Sequence, residues 1–297
     1  MDYTGFLKFF VSNSLFTFSI ILIGFVLGWV LYNHVILRTI RLGEALFEKD
    51  NLAAWVEFIG AFIFPTLYLS AKAVEGSAST VLLLDLLICI GYAVVYIVLF
   101  TILRLFSDGI VRIISPSDHE GSINLNNEIY RQRNTAASLF SAALSIIFVS
   151  LIRFLDFMPE FFAASVLRAG NILIFTLAAF AVYTFVLRYR TTLMKEIFVD
   201  NNAAAGTALV GFIFAVEMIL SNVVEMQKEF NFPELLLLSA ISLGILGIFS
   251  FIFKAVFSKI LGVDIWKEVY EQDSVGAAIG QCALYISIAG VVISFIK

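Results

Sequence analysis

Eight long runs of apolar residues follow one another along the chain, separated by short polar segments. Each run is continuous and lacks the alternation of a barrel strand, and each is long enough as a helix to cross about 30 Å of hydrocarbon. The runs cover 9–32, 52–71, 81–103, 135–152, 169–187, 203–221, 235–253 and 275–296. The pattern predicts an all-α, polytopic membrane bundle of about eight transmembrane helices in contact with the lipid bilayer.

Lysine and arginine are distributed unevenly among the segments that join the runs. Thirteen of the 19 follow the first, third, fifth and seventh runs, and the longest of these segments, 104–133, is predicted to be a polar loop. Because basic residues accumulate on the cytoplasmic side, these segments are predicted to face the cytoplasm. Both termini then lie outside, and we expect a multi-pass protein of the inner (plasma) membrane.

The same motif recurs in four of the predicted cytoplasmic segments. It consists of Glu, an aliphatic residue, Phe or Tyr, three further residues, Asn or Ser, any residue, Ala or Gly, and Ala. The copies are 45–54, 128–137, 196–205 and 268–277, and in the first copy the Glu lies one place earlier, at Glu44. Each repeat unit contains two runs, so the four units are parallel. Two units make each predicted half of the chain, 1–157 and 158–297.

One polar residue stands at the same place in every motif, directly before an even-numbered run: Asn51, Asn134, Asn202 and Ser274. Asn and Ser are favoured helix N-caps, and a cap satisfies backbone N–H groups that lipid cannot satisfy. In this structural interpretation the motif glutamates lie on the solvated side. The functional interpretation is that these residues and the glutamates ring a shared cytoplasmic entrance and form part of a solute or ion site. Both interpretations predict the same pattern in every copy.

Few ionisable side chains lie inside the runs, and such residues are candidates for a functional site. Glu57 lies about 9 Å below the cytoplasmic end of the second run, on a face that meets other helices. The equivalent positions in the other units are Phe140, Ala208 and Gly280, so this carboxylate is unique to one unit. We predict a proton- or cation-binding carboxylate, with a structural role as the alternative.

A second candidate group is predicted toward the outer side of the membrane. Asp85 and Glu217 lie in the third and sixth runs, and Arg153 and Arg168 lie at the outer ends of the fourth and fifth. Either arginine is within reach of either acid, so we expect a buried charge pair. The simpler interpretation is a structural ion pair, or snorkelling of the long side chains to the interface.

Composition restricts the classes of function. The chain is 61% hydrophobic and 14% charged, whereas a soluble domain is about 25% charged. The net charge of −4 argues against a nucleic-acid partner. The sequence contains no Walker loop, no Gly-x-Ser-x-Gly and no His-Glu-x-x-His, and its two histidines and two cysteines have no ligand-like spacing. We therefore predict no enzymatic activity, no cofactor and no metal site.

At the repeated motif the chain resembles the bacterial YjfL-like membrane family, domain of unknown function 350. The clearest copy is 195–205, followed by Gly211, while Ser274 and the shifted Glu44 depart from the pattern. The resemblance covers essentially the whole chain and implies an inner-membrane, eight-span fold built from repeats. It implies no reaction or ligand. The family's members resemble components of stress-linked or polyamine-linked gene neighbourhoods.

Two hypotheses for function follow. The first is a bundle that moves or conducts a small solute or ion, based on the parallel repeat and on Glu57. The alternative is a non-transporting scaffold of the stress response, whose motif segments dock a cytoplasmic protein partner. A homo-oligomer is compatible with either hypothesis. Parallel repeats allow a central pseudo-fourfold axis, and they equally allow two four-helix halves that pack side by side.

Overall fold

The computed structural model describes residues 3–74, 82–114, 123–155, 159–189, 191–227 and 230–296. Across these ranges the secondary structure is helical, without strands. Eight of the described helices are long and apolar enough to cross a membrane. The predicted class, an all-α multi-pass membrane protein with eight spans, is confirmed.

We number the eight long helices in chain order. They are α1 (Tyr3–Leu31), α2 (Leu52–Trp55, Val56–Ile63 and Phe64–Val74 in succession), α3 (Leu82–Ile114), α4 (Thr135–Arg153), α5 (Pro159–Leu187), α6 (Ala203–Met226), α7 (Phe232–Leu261) and α8 (Val275–Ile296). A short motif helix precedes each even-numbered helix. The motif helices are Glu44–Glu48, Asn127–Arg131, Leu193–Phe198 and Ile265–Tyr270. All four therefore lie at one end of the bundle, the motif end, and we call the opposite end the far end.

The even-numbered helices form a row through the middle of the bundle, in the order α2, α4, α6 and α8. The buried share of an apolar 18-residue stretch is 56% in α2, 44% in α4, 67% in α6 and 28% in α8, so α6 is the most enclosed member of the row. The odd-numbered helices flank it, α1 and α3 against α2, and α5 and α7 against α6. The four repeat units thus form an open row, in two halves that pack side by side.

Two glycines of α6 allow its neighbours in the row to approach closely. A Cβ atom at Gly206 would lie 3.0 Å from Leu139 Cβ on α4, and one at Gly211 would lie 2.6 Å from Cys282 Cα on α8. Small residues at helix contacts let backbones approach in a membrane, where packing drives helix association. The close spacing on both sides of α6 therefore depends on these glycines.

Helix α2 differs from the other even-numbered helices in its hydrogen-bond pattern. Its middle part, Val56–Ile63, is a π-helix, whereas α4, α6 and α8 are α-helical over their described lengths. Pro65, which has no N–H to donate, lies two residues after the end of this part. Single π-turns within helices are frequent at functional sites, and this one contains Glu57.

Some long helices extend beyond the predicted runs. Helix α3 continues to Ile114, so the prediction that 104–133 is one polar loop is wrong for its beginning. The helix continues because Arg104 and Asp108, one turn apart, form an ion pair with Nη1 and Oδ1 3.4 Å apart, and because Val111 is buried. The remainder of that segment includes 115–122, which lies outside the described residues.

Candidate functional site

All four motif helices end in the same backbone turn. In each copy the backbone N–H of the cap residue donates to the carbonyl six residues earlier, at 2.8 to 3.1 Å. The residue before each cap adopts a left-handed conformation, with φ between 45° and 59°. These residues are Asp50, Arg133, Asn201 and Asp273. A left-handed non-glycine residue costs roughly 1–2 kcal/mol, and its recurrence in four copies shows that the sequence repeats are structural repeats.

Each predicted cap residue begins an even-numbered helix and caps it. The side-chain oxygen accepts a hydrogen bond from the N–H three residues later, at 2.8 to 3.2 Å for Asn51, Asn134 and Asn202. The corresponding distance at Ser274 is 3.4 Å. The capping interpretation is therefore confirmed in every unit.

The amide groups of the three cap asparagines also link each unit to the next. Each Nδ2 donates to the backbone carbonyl of the aliphatic residue in the following motif, at 2.8 to 3.0 Å. The pairs are Asn51 with Ile129, Asn134 with Ile197, and Asn202 with Val269. Because the contacts run in one direction from unit 1 to unit 4, the cap residues form an open row and not a ring. Their contribution to a solute site stays a prediction.

The first unit closes its end of the row with a tryptophan. The carbonyl of Leu46 corresponds to that of Ile129 in the next motif. Trp55 Nε1 donates to this carbonyl instead, at 3.2 Å. The other units have small residues at the position of Trp55, namely Ser138, Gly206 and Ala278. At Gly206 this position packs against the helix of the preceding unit, where a tryptophan would not fit.

The fourth unit closes the opposite end. Ser274 keeps a capping oxygen but lacks the amide that, in the other units, donates to a following motif. The departure of Ser274 from the motif therefore keeps the cap and removes the amide link. Sequence comparison among the copies identified this departure but not its cause.

Two motif glutamates lie inside the protein, so their predicted place on the solvated side is wrong. Glu128 and Glu196 are 1% and 6% exposed, and each accepts a hydrogen bond from the cap asparagine of its own motif, at 3.2 and 2.9 Å. The cap amide makes their burial possible by supplying a donor. Glu44 of the first unit instead lies near the surface, where Lys49 at 2.7 Å holds its pKa below the usual range.

We expect substitutions of Asn202 to separate capping from the link between units. Asn202→Ser keeps a capping oxygen but leaves the buried acceptors of Val269 and Glu196 without their donor, and should lower the free energy of unfolding by about 1–3 kcal/mol. Asn202→Ala also removes the cap and should lower it by about 1 kcal/mol more. Unfolding of each variant in mixed detergent micelles measures its loss of stability. Ser274→Ala is the control, because it loses a cap alone. Equal stability of Asn202→Ser and wild type would contradict the link.

Glu57 is completely buried among α1, α2 and α3. Its Oε1 accepts a hydrogen bond from the Tyr32 hydroxyl at 3.2 Å and forms a hydrogen-bonded ion pair with Nε of Arg104. The prediction that Glu57 faces other helices is confirmed. Arg104, assigned to a loop from the sequence, is only 5% exposed and supplies the balancing charge.

Further polar groups extend this arrangement toward the motif end. Arg104 Nη1 lies 3.4 Å from Asp108 Oδ1, and the hydroxyl of Tyr130 donates to that of Tyr32 at 2.8 Å. Burial raises the pKa of Tyr130 well above its usual value, which keeps this phenol protonated. We call Tyr32, Glu57, Arg104, Asp108 and Tyr130 the Glu57 cluster. One arginine between two carboxylates gives this cluster a formal charge of −1.

The Glu57 cluster retains unused hydrogen-bonding capacity. Glu57 Oε2 is buried and has no hydrogen-bond partner in the described structure. A cavity of about 10 Å³ lies beside Arg104, and Ser107 and Ser145 contribute polar groups to its wall. This volume corresponds to roughly one water molecule.

Comparison with known proteins assigns the chain to a family. The model described as Domain of Unknown Function (DUF350) matches residues 4–154 and, a second time, residues 156–296. The chain belongs to the DUF350 family. Each match covers two repeat units, so this DUF350 protein carries the family's domain twice. No curated protein and no solved structure matches it.

The second DUF350 copy repeats only part of the Glu57 cluster. Tyr183 precedes Asn202 by the same number of residues as Tyr32 precedes Asn51. Its hydroxyl lies 2.5 Å from that of Tyr270, which reproduces the pair of hydroxyls in the first copy. The position of Glu57, however, is occupied by Ala208. The fold of a DUF350 copy therefore does not require a carboxylate at this place.

Lys254 is the buried cation of the second copy. Its Nζ donates to the Tyr285 hydroxyl at 2.6 Å and lies 4.2 Å from the ring centroid of Trp266. Over the ranges that the structure covers, Lys254 forms no ion pair with an acidic side chain. The two copies are thus chemically different, with a buried ion pair in the first and a lysine among aromatic rings in the second.

The predicted charge pair of the far end is not formed between Glu217 and the arginines. Arg153 forms an ion pair with Glu225, and the Arg168 guanidinium lies 5.5 Å from the ring centroid of Phe230. Glu217 faces the interior of the row, is 3% exposed and accepts a hydrogen bond from a threonine of α5 at 2.6 Å. The two arginines therefore contact Glu225 and Phe230 and not Glu217. Asp85 lies in the first turn of α3.

Proposed function

We propose that this DUF350 protein moves a small cation, in the simplest case a proton, across the membrane. Glu57 is the binding carboxylate in this proposal, and Arg104 is an internal cation that competes for it. The motif end, which carries the basic segments, faces the cytoplasm of a cell bounded by an inner membrane. The proposal requires no enzymatic activity and no cofactor.

The observation that supports this proposal is a buried ion pair that the fold does not need. Removing two charges from water costs several kcal/mol for each ion, and apolar replacements of such pairs are often neutral or stabilising. The second copy packs with Ala208 at the position of Glu57. Glu57 also lies in the π-helical part of α2, and such wide turns are common at functional sites. A pair that stability does not explain is a candidate for function.

The geometry of Arg104 suggests how Glu57 becomes available. The guanidinium already touches both carboxylates, pairing with Glu57 through Nε and lying 3.4 Å from Asp108 through Nη1. A small movement toward Asp108 would leave Glu57 with one charge to neutralise, and a proton or monovalent cation would supply it. The formal charge of −1 on the cluster favours a cation over an anion.

The scaffold alternative has less support from the motif segments. Docking would require their aromatic and acidic side chains to face outward. The motif aromatic residues Tyr130, Phe198 and Tyr270 are instead buried between units, and Phe47 is the exposed exception. A partner that binds the motif end would therefore meet mainly the intervening polar residues.

Flux through the purified protein tests the proposal. Protein reconstituted in liposomes with a pH-sensitive dye and an imposed membrane potential should carry protons, and Glu57→Gln should reduce the rate at least about tenfold. Because this variant leaves Arg104 unpaired, the double variant Glu57→Gln/Arg104→Gln provides a folded protein without either charge, and it should be equally inactive. Glu44→Gln, which changes a surface carboxylate, is the matched control and should retain the wild-type rate.

Two results would contradict the proposal. One is a wild-type protein that moves neither protons nor Na⁺ or K⁺ under these conditions. The other is a wild-type flux that Glu57→Gln and the double variant both retain.

A further inference from the structure

A wide groove opens at the far end, between the two DUF350 copies. Its volume is about 1220 Å³, and it lies among α2, α3, α4 and the beginning of α5. The wall contributed by α3 is apolar and includes Val95, Leu99 and Ile102. Val95 and Ile102 are 59% and 47% exposed on a helix that spans the membrane. The groove is therefore accessible from the side, where acyl chains surround the protein.

The charged side chains that line the groove are all basic: Lys72, Arg153 and Arg168. Lys72 and Arg153 come from the last turns of α2 and α4, and Arg168 lies in the third turn of α5, so all three lie in the part of the bundle toward the far end. Arg168 Nε is buried and has no hydrogen-bond partner among the described groups. The polar end of the groove is thus lined by basic side chains, of which Arg153 is paired with Glu225 and Arg168 retains an unused N–H donor.

The dimensions of the apolar wall match one leaflet of a bilayer. The lining residues of α3 extend from Tyr92 to Ile102, which corresponds to about 15 Å along a helix. The hydrocarbon core of a bilayer is about 30 Å thick. The wall begins ten residues after the far-end start of α3 at Leu82, so an acyl chain in the groove would lie against the middle part of this helix.

We propose that this groove binds an anionic phospholipid of the leaflet at the far end. The headgroup phosphate contacts Lys72, Arg153 and Arg168, since arginine and lysine form strong charge-assisted hydrogen bonds with phosphate oxygens. One acyl chain lies against Tyr96, Leu99 and Ile102. The lipid would bridge the two copies, because Arg168 belongs to the second copy and the other contacts to the first. This inference does not involve Glu57 and does not depend on the proposed function.

Binding can be measured by native mass spectrometry of the full-length protein in detergent. Phosphatidylglycerol should be retained at least about tenfold more strongly than phosphatidylcholine with the same acyl chains. Lys72→Gln/Arg168→Gln should remove that preference. Arg188→Gln, an exposed arginine at the motif end, is the matched control and should keep it.

A second variant tests the groove without changing its charge. Val95→Trp places a large side chain into the groove from an exposed position on α3, and should reduce retention of phosphatidylglycerol at least about tenfold. If the preference came only from nonspecific attraction between headgroups and basic side chains, Val95→Trp would retain phosphatidylglycerol as strongly as the wild type does. The proposal is overturned if the two lipids are retained equally, if either variant binds like wild type, or if inorganic phosphate alone displaces the lipid.

Discussion

Arg104→Met should lower the free energy of unfolding by about 3–5 kcal/mol, because it leaves the Glu57 carboxylate buried without a compensating charge. Glu57 is completely buried, so water cannot replace the lost cation. Unfolding of the purified protein by a denaturing detergent in mixed micelles measures the change. Among the variants considered for this protein, we expect this one to have the largest effect on stability.

The double variant Glu57→Gln/Arg104→Met supplies the control. It removes both charges together, and apolar or neutral replacements of buried pairs are often tolerated, so most of the stability should return. The difference between the double variant and the sum of the single variants gives the coupling energy of the two side chains. A double variant as unstable as Arg104→Met would show that packing, and not charge, explains the loss.

Gly211→Ala should lower the free energy of unfolding by about 1–3 kcal/mol, because the new methyl group has no space between α6 and α8. The Cβ atom would lie 2.6 Å from the backbone Cα of Cys282, which cannot rotate away as a side chain would. The two helices must therefore separate, and α6 is the most enclosed helix of the row. The same unfolding measurement detects the change.

Gly60→Ala is the matched control for Gly211→Ala. Gly60 occupies the same position relative to the motif of the first unit, but a Cβ atom there would meet nothing within 4 Å. The substitution should be neutral, or stabilising by up to about 1 kcal/mol, because alanine favours a helix more than glycine does. Equal losses at Gly60 and Gly211 would mean that the glycines act through backbone conformation and not through the contact with α8.

The sequence predicted those parts of the fold that depend on residues close together in the chain. The eight spans follow from continuous apolar runs, and the four caps from an Asn or Ser placed directly before an even-numbered run. The left-handed residue before each cap was not predicted. Asp50, Asn201 and Asp273 are of the non-glycine types that most often adopt this conformation, but Arg133 in the second copy is not.

The candidate site was only half predicted, and the reason is the distance in sequence between its members. Glu57 stands out as a carboxylate inside an apolar run, but its partner Arg104 directly follows another run, as basic residues that determine topology also do. The one local signal was Asp108, a turn later in the helix. Lys254 was missed for the same reason, since only the folded chain brings Tyr285 and Trp266 to it.

The predicted entrance ringed by four equivalent residues shows a further limit of sequence comparison. Identical motifs indicate that each unit contacts its neighbour in the same way, but they do not say whether the last unit returns to the first. The differences between copies contain that information. Trp55, directly after the first motif, and Ser274, in the fourth, differ from the residues at the equivalent positions of the other units, and both differences match an open row.

Trp55 and Ser274 also determine how the number of units in such a protein can change. A helix pair added before the first unit would meet the indole that already occupies its place, and one added after the fourth would receive no amide bond from Ser274. A pair inserted between the second and third units would find matching partners on both sides. Lengthening by internal duplication is therefore compatible with this architecture, whereas a unit added next to Trp55 or Ser274 would not form the amide link found between the other units.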